Sequence, residues 1–158
     1  LEQAIALLRV CRPAGIPLII NDDPGLAREV GAEGVHLGAS DGAPADARQL
    51  LGPGAIIGVS CYDDIGRAEA AAGAGANYLA FGAFHDSSTK PLASRASIRT
   101  LRDAARFALP RVAIGGILPE NAAALLAAGA DFLAVSGGVF ASPDPFAAAA
   151  RFRPLFES

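Results

Sequence analysis

Methionine is absent from this chain, cysteine occurs only twice, and no long apolar stretch or run of basic residues interrupts its 158 residues. Each absence excludes something. Nothing approaches the roughly 18 consecutive apolar residues of a membrane-spanning helix, and the start carries no basic, apolar and small-residue secretory signal. A net charge of −3 without a basic run gives no electrostatic reason to expect nucleic acid as a partner. Cys11 and Cys61 stand in unrelated contexts, without CxxC spacing or a histidine cluster, so neither a zinc site nor a disulfide framework is expected. Two such thiols suit a reduced, cytoplasmic setting. Nothing resembles a Ser-His-Asp triad, and no G-x-G-x-x-G follows the first strand-like run. What remains is a protein acting on small molecules, with homo-oligomerisation left open.

The start is informative in the same negative way. Apolar residues at 1, 4, 5, 7, 8 and 11 form one face at helical period, yet no capping residue precedes them. Sequence upstream of Leu1 is therefore expected.

What the chain does have is alternation. A hydrophobic content of 52% and mean hydropathy of +0.36 owe much to alanine and glycine. The length suits a single domain over 1–158 with a real core. Near-continuous apolar runs at 17–21, 34–38, 55–60, 77–83, 111–115 and 131–136 read as strands buried on both faces of a parallel sheet. Helical patterns at about 24–31, 44–51, 63–74, 97–107, 119–128 and 145–156 lie between and after them. Such βα units imply right-handed crossovers. Three segments share one grammar: Gly31-Ala32-Glu33, Gly75-Ala76-Asn77 and Gly129-Ala130-Asp131, each leading into a strand. Glycine there supplies the left-handed conformation that ends a helix. These turns mark the stability face, which puts function at the opposite strand ends.

Six units are too few for a closed eight-stranded barrel, but two upstream units would complete it. A doubly wound open sheet is the competitor. The glycine-rich loops late in the chain favour a (β/α)₈ TIM barrel whose first βα units are missing from this chain.

In such barrels the strands' C-terminal ends build the active site, and phosphate often sits on the last two loops. Those loops are Gly115-Gly116-Ile117 and Ser136-Gly137-Gly138, the second expected to open a short helix. Both offer unobstructed N–H groups to a phosphate, although glycine also serves tight turns. Asn21-Asp22 ends the first strand and Asp41 follows the second, so the two carboxylates emerge side by side. Paired carboxylates on rigid strands can hold Mg²⁺ against substrate phosphates. Either acid could instead cap the helix that follows it, as could Asn21. Ser60 ends the third strand and points to the same mouth, as a ligand or a turn residue. The polar segment 84–91 reads as a lid. In it Lys90 could offset charge on a departing diphosphate, while Ser87 and Thr89 could donate to phosphate oxygens; a merely solvated loop is the bland reading. His36, inside an apolar strand, reads as a satisfied core residue, and His85 lacks a recognisable partner.

The ordered set Leu18-Ile19-Ile20-Asn21-Asp22, Gly34-Val35-His36-Leu37-Gly38 with Asp41, Ile57-Gly58-Val59-Ser60, Ser87-Ser88-Thr89-Lys90-Pro91, Ala113-Ile114-Gly115-Gly116-Ile117 with Pro119-Glu120-Asn121, and Ala134-Val135-Ser136 resembles the thiamine-phosphate synthase family. The resemblance implies a TIM barrel that joins a pyrimidine diphosphate to a thiazole phosphate and releases pyrophosphate, with Mg²⁺ on the diphosphate. It implies Asp22 and Asp41 as metal ligands. Asn21, Ser60 and Lys90 would contact the pyrimidine diphosphate, with Lys90 and Ser60 the catalytic pair. Ser87, Ser88, Thr89, Gly116, Val135 and Ser136, with Gly115 beside them, would hold the thiazole phosphate. It further implies that the diphosphate leaves first and the thiazole nitrogen captures the resulting cation, chemistry that needs positioning and charge neutralisation more than a base. The chain departs from the family where a glutamine- and basic-rich strand should precede residue 1, and Ser87 stands where Thr is commoner. Two rivals remain. A related thiazole tautomerase would need an acid–base histidine near Ser60-Cys61-Tyr62-Asp63, and a non-catalytic phosphate-binding module would not need Asp22, Asp41 and Lys90 together.

Overall fold

A computed structural model describes residues 1–86 and 95–157. Helix α1 (Glu2–Cys11) leads through a 3₁₀ turn into strand β1 (Ile19–Asn21). Then follow α2 (Pro24–Val30), β2 (Gly34–Leu37), α3 (Pro44–Leu51), β3 (Ile56–Tyr62), α4 (Ile65–Gly73) and β4 (Tyr78–Phe81). The later part comprises α5 (Ile98–Asp103), β5 (Arg111–Ile114), α6 (Pro119–Ala127), β6 (Phe132–Ala134), the short α7 (Gly137–Phe140) and α8 (Pro145–Ala150). The expected alternation is present; the strands are shorter than their apolar runs except β3, which continues two residues past its expected end at 60. Two of the expected helices, 97–107 and 145–156, finish as 3₁₀ turns.

The fold is α/β, with six strands among the described residues in sequence order β1 to β6. Every register described is parallel: β1 with β2, β2 with β3, and β5 with β6. No helix among these residues is long and apolar enough to cross a membrane.

The chain groups into two compact units. The first takes Leu1–Ser60 and Ala68–Leu79. In it Val35, Leu37 and Ile57 are buried against Ala27 of α2 and Ala47 of α3, with Leu51 packed alongside. Each such aliphatic side chain contributes about 1.5–3 kcal/mol on burial. Because strand side chains alternate, this leaves His36, Gly58 and Ser60 on the other face of the same strands. The second unit takes Cys61–Arg67 and the chain from Ala80 onward. Its buried side chains include Phe81, Leu101, Ala113 and Leu125.

The three Gly-Ala-polar segments do more than end helices. Gly31, Gly75 and Gly129 all have positive φ, at 68°, 86° and 99°. The polar residue after each then ties down the start of the preceding strand. Glu33 accepts from the Leu18 N–H at 2.9 Å and from Arg12. Asn77 Oδ1 accepts from the Ile57 N–H at 2.8 Å and from Arg48. Asp131 accepts from the Arg111 N–H at 2.8 Å and from the same arginine's Nε. One side-chain acceptor thus satisfies a strand's orphan N–H, with an arginine donating to that same side chain, three times over.

Candidate functional site

In the first unit, Asn21 of β1 lies opposite His36 of β2. One residue later the Asp22 N–H donates to the His36 carbonyl at 2.8 Å, with Asp22 in the left-handed region at φ 65°. Asp41 folds back so that its Oδ2 accepts from the Gly38 N–H at 2.7 Å, and its Oδ1 accepts from the Ser40 hydroxyl at 3.0 Å. The Gly38 N–H, then a hydrogen bond to the Asp22 side chain, hold the Asp41 carboxyl below the usual carboxylate range. The two acids that the sequence placed at neighbouring strand ends therefore meet. Neither caps a helix: Asp23 caps α2 by accepting from the Leu26 N–H at 2.9 Å, and α3 has no side-chain cap. The capping alternative for Asn21, Asp22 and Asp41 is removed by that finding.

Ser60 sits on the face left by the alternation of β3. Its Oγ lies 2.8 Å from His36 Nε2, while His36 Nδ1 lies 2.9 Å from Tyr78 Oη. Tyr78 starts β4, and Gly58 of β3 makes room for it: a Cβ on Gly58 would fall 1.9 Å from Tyr78 Cζ. Burial pushes the Tyr78 phenol up to about 12, so it stays protonated at neutral pH. His36 is satisfied, as the apolar strand suggested, but by the candidate ligand Ser60 itself. Tyr78 was missed altogether. Its signal was a glycine within an apolar strand, one strand away from a tyrosine.

In the second unit, β5 and β6 end side by side, with Ile114 opposite Ala134. Gly115 and Gly116 follow with φ of 100° and 58°. A Cβ on Gly116 would meet the Asp86 carbonyl at 2.3 Å, so this turn needs glycine for close packing as well as conformation. The Gly116 carbonyl accepts from Asn121 Nδ2 at 3.0 Å. Ser136 precedes α7, the short helix expected at that loop, without capping it by its side chain. A Cβ on Gly138 would lie 2.5 Å from the Ile117 carbonyl and 2.9 Å from Val135 Cγ1, so the two glycine turns are neighbours. His85 Nε2 is buried and without a hydrogen-bond partner among the described residues. Asp63 accepts from the Ser97 N–H at 2.8 Å and from the Thr100 hydroxyl, which commits it to the start of α5. Ser87, Ser88, Thr89 and Lys90 lie outside the described residues.

With this geometry established, comparisons with known proteins agree in direction. The family described as thiamine monophosphate synthase matches residues 1–139. Thiamine-phosphate synthase of Xanthomonas campestris pv. campestris strain 8004 is 58% identical over 156 residues, covering 99% of this chain and 75% of that protein. The enzyme of the same name from Azoarcus sp. strain BH72 is 58% identical over 158 residues, covering 99% and 76%. Among solved structures, thiamine phosphate pyrophosphorylase from Pyrococcus furiosus superposes with a TM-score of 0.87 at 30% identity, covering 98% of this chain and 74% of that one. A 3-hexulose-6-phosphate synthase, at 20% identity and a TM-score of 0.73, shares the fold alone. Paired acids at adjacent strand ends, a serine held on the next strand and two contiguous glycine turns thus occur on a chain that belongs to the thiamine monophosphate synthase family.

Proposed function

We propose that this chain is a transferase that joins a pyrimidine diphosphate to a thiazole phosphate, giving thiamine phosphate and pyrophosphate. The observation that carries the reading is the meeting of Asp22 and Asp41. Two carboxylates in contact repel unless a proton or a cation lies between them. Mg²⁺ favours one or two carboxylates together with substrate phosphates and water over a dedicated protein cage. The donor set therefore fits Mg²⁺, with Asp22 and Asp41 as the residues that would hold it. Bound there, the ion would neutralise charge on the departing diphosphate.

The remaining roles follow the chemistry of each group. Asn21 and Ser60 contact the pyrimidine diphosphate, and Lys90 brings a positive charge to the leaving group. Ser87, Ser88, Thr89, Gly115, Gly116, Val135 and Ser136 hold the thiazole phosphate through hydroxyl and backbone donors. No residue has to take a proton in the rate-setting step, because departure of the diphosphate is helped by charge and by alignment. The strands belong to a (β/α)₈ barrel, a reading supported by their sequential order and by the Pyrococcus furiosus structure. The tautomerase reading is disfavoured, since Cys61 after Ser60 is a buried thiol pushed up to about 12 by burial and Asp63 is committed to α5.

The test is pyrophosphate release from the full-length protein supplied with both substrates, in Mg²⁺ or in EDTA. Release that requires both substrates and Mg²⁺ is the expected result. A folded protein that releases none under any of these conditions overturns the assignment.

A further inference from the structure

Ser60 does not choose its own rotamer. A hydroxyl on a strand can swing among three staggered positions, yet here its oxygen meets His36 Nε2 at 2.8 Å. The imidazole is itself held at its other nitrogen by Tyr78 Oη at 2.9 Å, and the two rings stack with centroids 5.6 Å apart and planes 18° from parallel. Three strands contribute: β2 carries His36, β3 carries Ser60, and β4 carries Tyr78. The side chains cross because Gly58 leaves the gap through which the phenol reaches past β3. Nothing in packing alone requires a tyrosine, a histidine and a serine to line up in this way. Phenylalanine and leucine would fill the same space without polar atoms to satisfy.

We propose that Tyr78 and His36 are positioning residues that fix the Ser60 hydroxyl, in rotamer and in donor direction, for the pyrimidine substrate; this rests on the transferase reading above. A neutral imidazole has one N–H, and both contacts admit either tautomer, since each hydroxyl can donate or accept. In the arrangement proposed, the Tyr78 phenol donates to Nδ1 and Nε2–H donates to Ser60 Oγ. Ser60 then presents its own proton as a donor, the role suited to an acceptor on an anionic substrate. The opposite tautomer would use that proton on the histidine and leave Ser60 an acceptor only.

Two measurements test this. The first is steady-state pyrophosphate release by Tyr78→Phe, Ser60→Ala and the double variant. Each single change should lower kcat by about tenfold, the weight of one hydrogen bond in a transition state, with KM for the thiazole phosphate unchanged. The double variant should be no slower than Ser60→Ala alone, because Tyr78 acts only through Ser60. Losses that multiply in the double variant, or a Tyr78→Phe enzyme as fast as the parent, overturn the proposal. The second is ¹⁵N NMR of histidine-labelled protein, which needs no turnover. The His36 ring should be the Nε2–H tautomer in the parent and should change its pattern in Tyr78→Phe. An Nδ1–H ring in the parent overturns the donor direction. If the parent protein releases no pyrophosphate, the transferase reading fails, and the NMR result still decides whether the relay exists.

Discussion

Asp22 shows how much a single residue can be asked to do. At φ 65° it occupies a region that costs most side chains of order 1 kcal/mol or more, and which Asp and Asn tolerate best. The turn there aims its N–H at His36 and brings its carboxyl to Asp41. Such strain persists where the surroundings over-determine it, and it clusters at functional sites. Gly58 is the complementary case, where the lack of one carbon admits Tyr78. Burial marks two groups at this scale: it pushes both the Cys61 thiol and the Tyr78 phenol up to about 12. A raised folded-state value means that the unfolded chain loses its protons first. Stability contributed by the neutral groups is therefore complete below the unfolded values and declines as pH rises through about 9 toward 12. Urea midpoints should fall between pH 8 and about pH 10.5, and a Cys61→Ala, Tyr78→Phe protein should show a flatter decline. A parent midpoint that does not move over this range would contradict the burial argument.

At the scale of elements, the repeated Gly-Ala-polar segment is the main device. Each copy ends one helix, and its polar side chain then caps the start of a strand. Helix and strand ends leave backbone donors without partners, and a buried orphan N–H costs about 1–3 kcal/mol. Asn77→Ala should lower stability by about that amount, because the Ile57 N–H then loses its acceptor. Asn77→Asp keeps an acceptor beside Arg48 and should retain most of the stability. Denaturation midpoints and exchange of the Ile57 amide would distinguish them, and equal losses in both variants would show that the acceptor is not what matters. The same device explains Glu33. The Leu18 N–H, then Arg12, hold its carboxyl below its ordinary range, so its contribution is present at neutral pH and fades as acid protonates it.

At the scale of the whole molecule, ligand binding is linked to folding. A ligand that binds only the folded state stabilises it by RT ln(1 + [L]/Kd), about 2.7 kcal/mol at a hundredfold excess over Kd. The pyrimidine diphosphate with Mg²⁺ should therefore raise the melting temperature, and the same substrate in EDTA should raise it much less. Asp22→Asn suits the left-handed turn but removes the charge. It should melt within a few degrees of the parent without ligand and lose the Mg²⁺-dependent part of the shift. An unchanged shift in that variant would overturn the proposed role of Asp22 as a metal ligand.

How much of this was legible in residues alone differs by kind. The alternation of strands and helices was, because apolar periodicity and glycine at helix ends are local properties that tertiary contacts did not override. The meeting of Asp22 with Asp41 was legible too, since parallel neighbours end together and each acid sits within a few residues of its strand. The line from Tyr78 through His36 to Ser60 was not, because it joins residues 42 and 24 positions apart across three strands. Nor could spacing tell that Asp23, rather than Asn21 or Asp22, caps α2, since adjacent polar residues are distinguished only by backbone angles. Local patterns determined the elements and the ends at which chemistry collects. Tertiary structure decided which side chains touch, because contact between strands depends on register and on the space a missing side chain leaves.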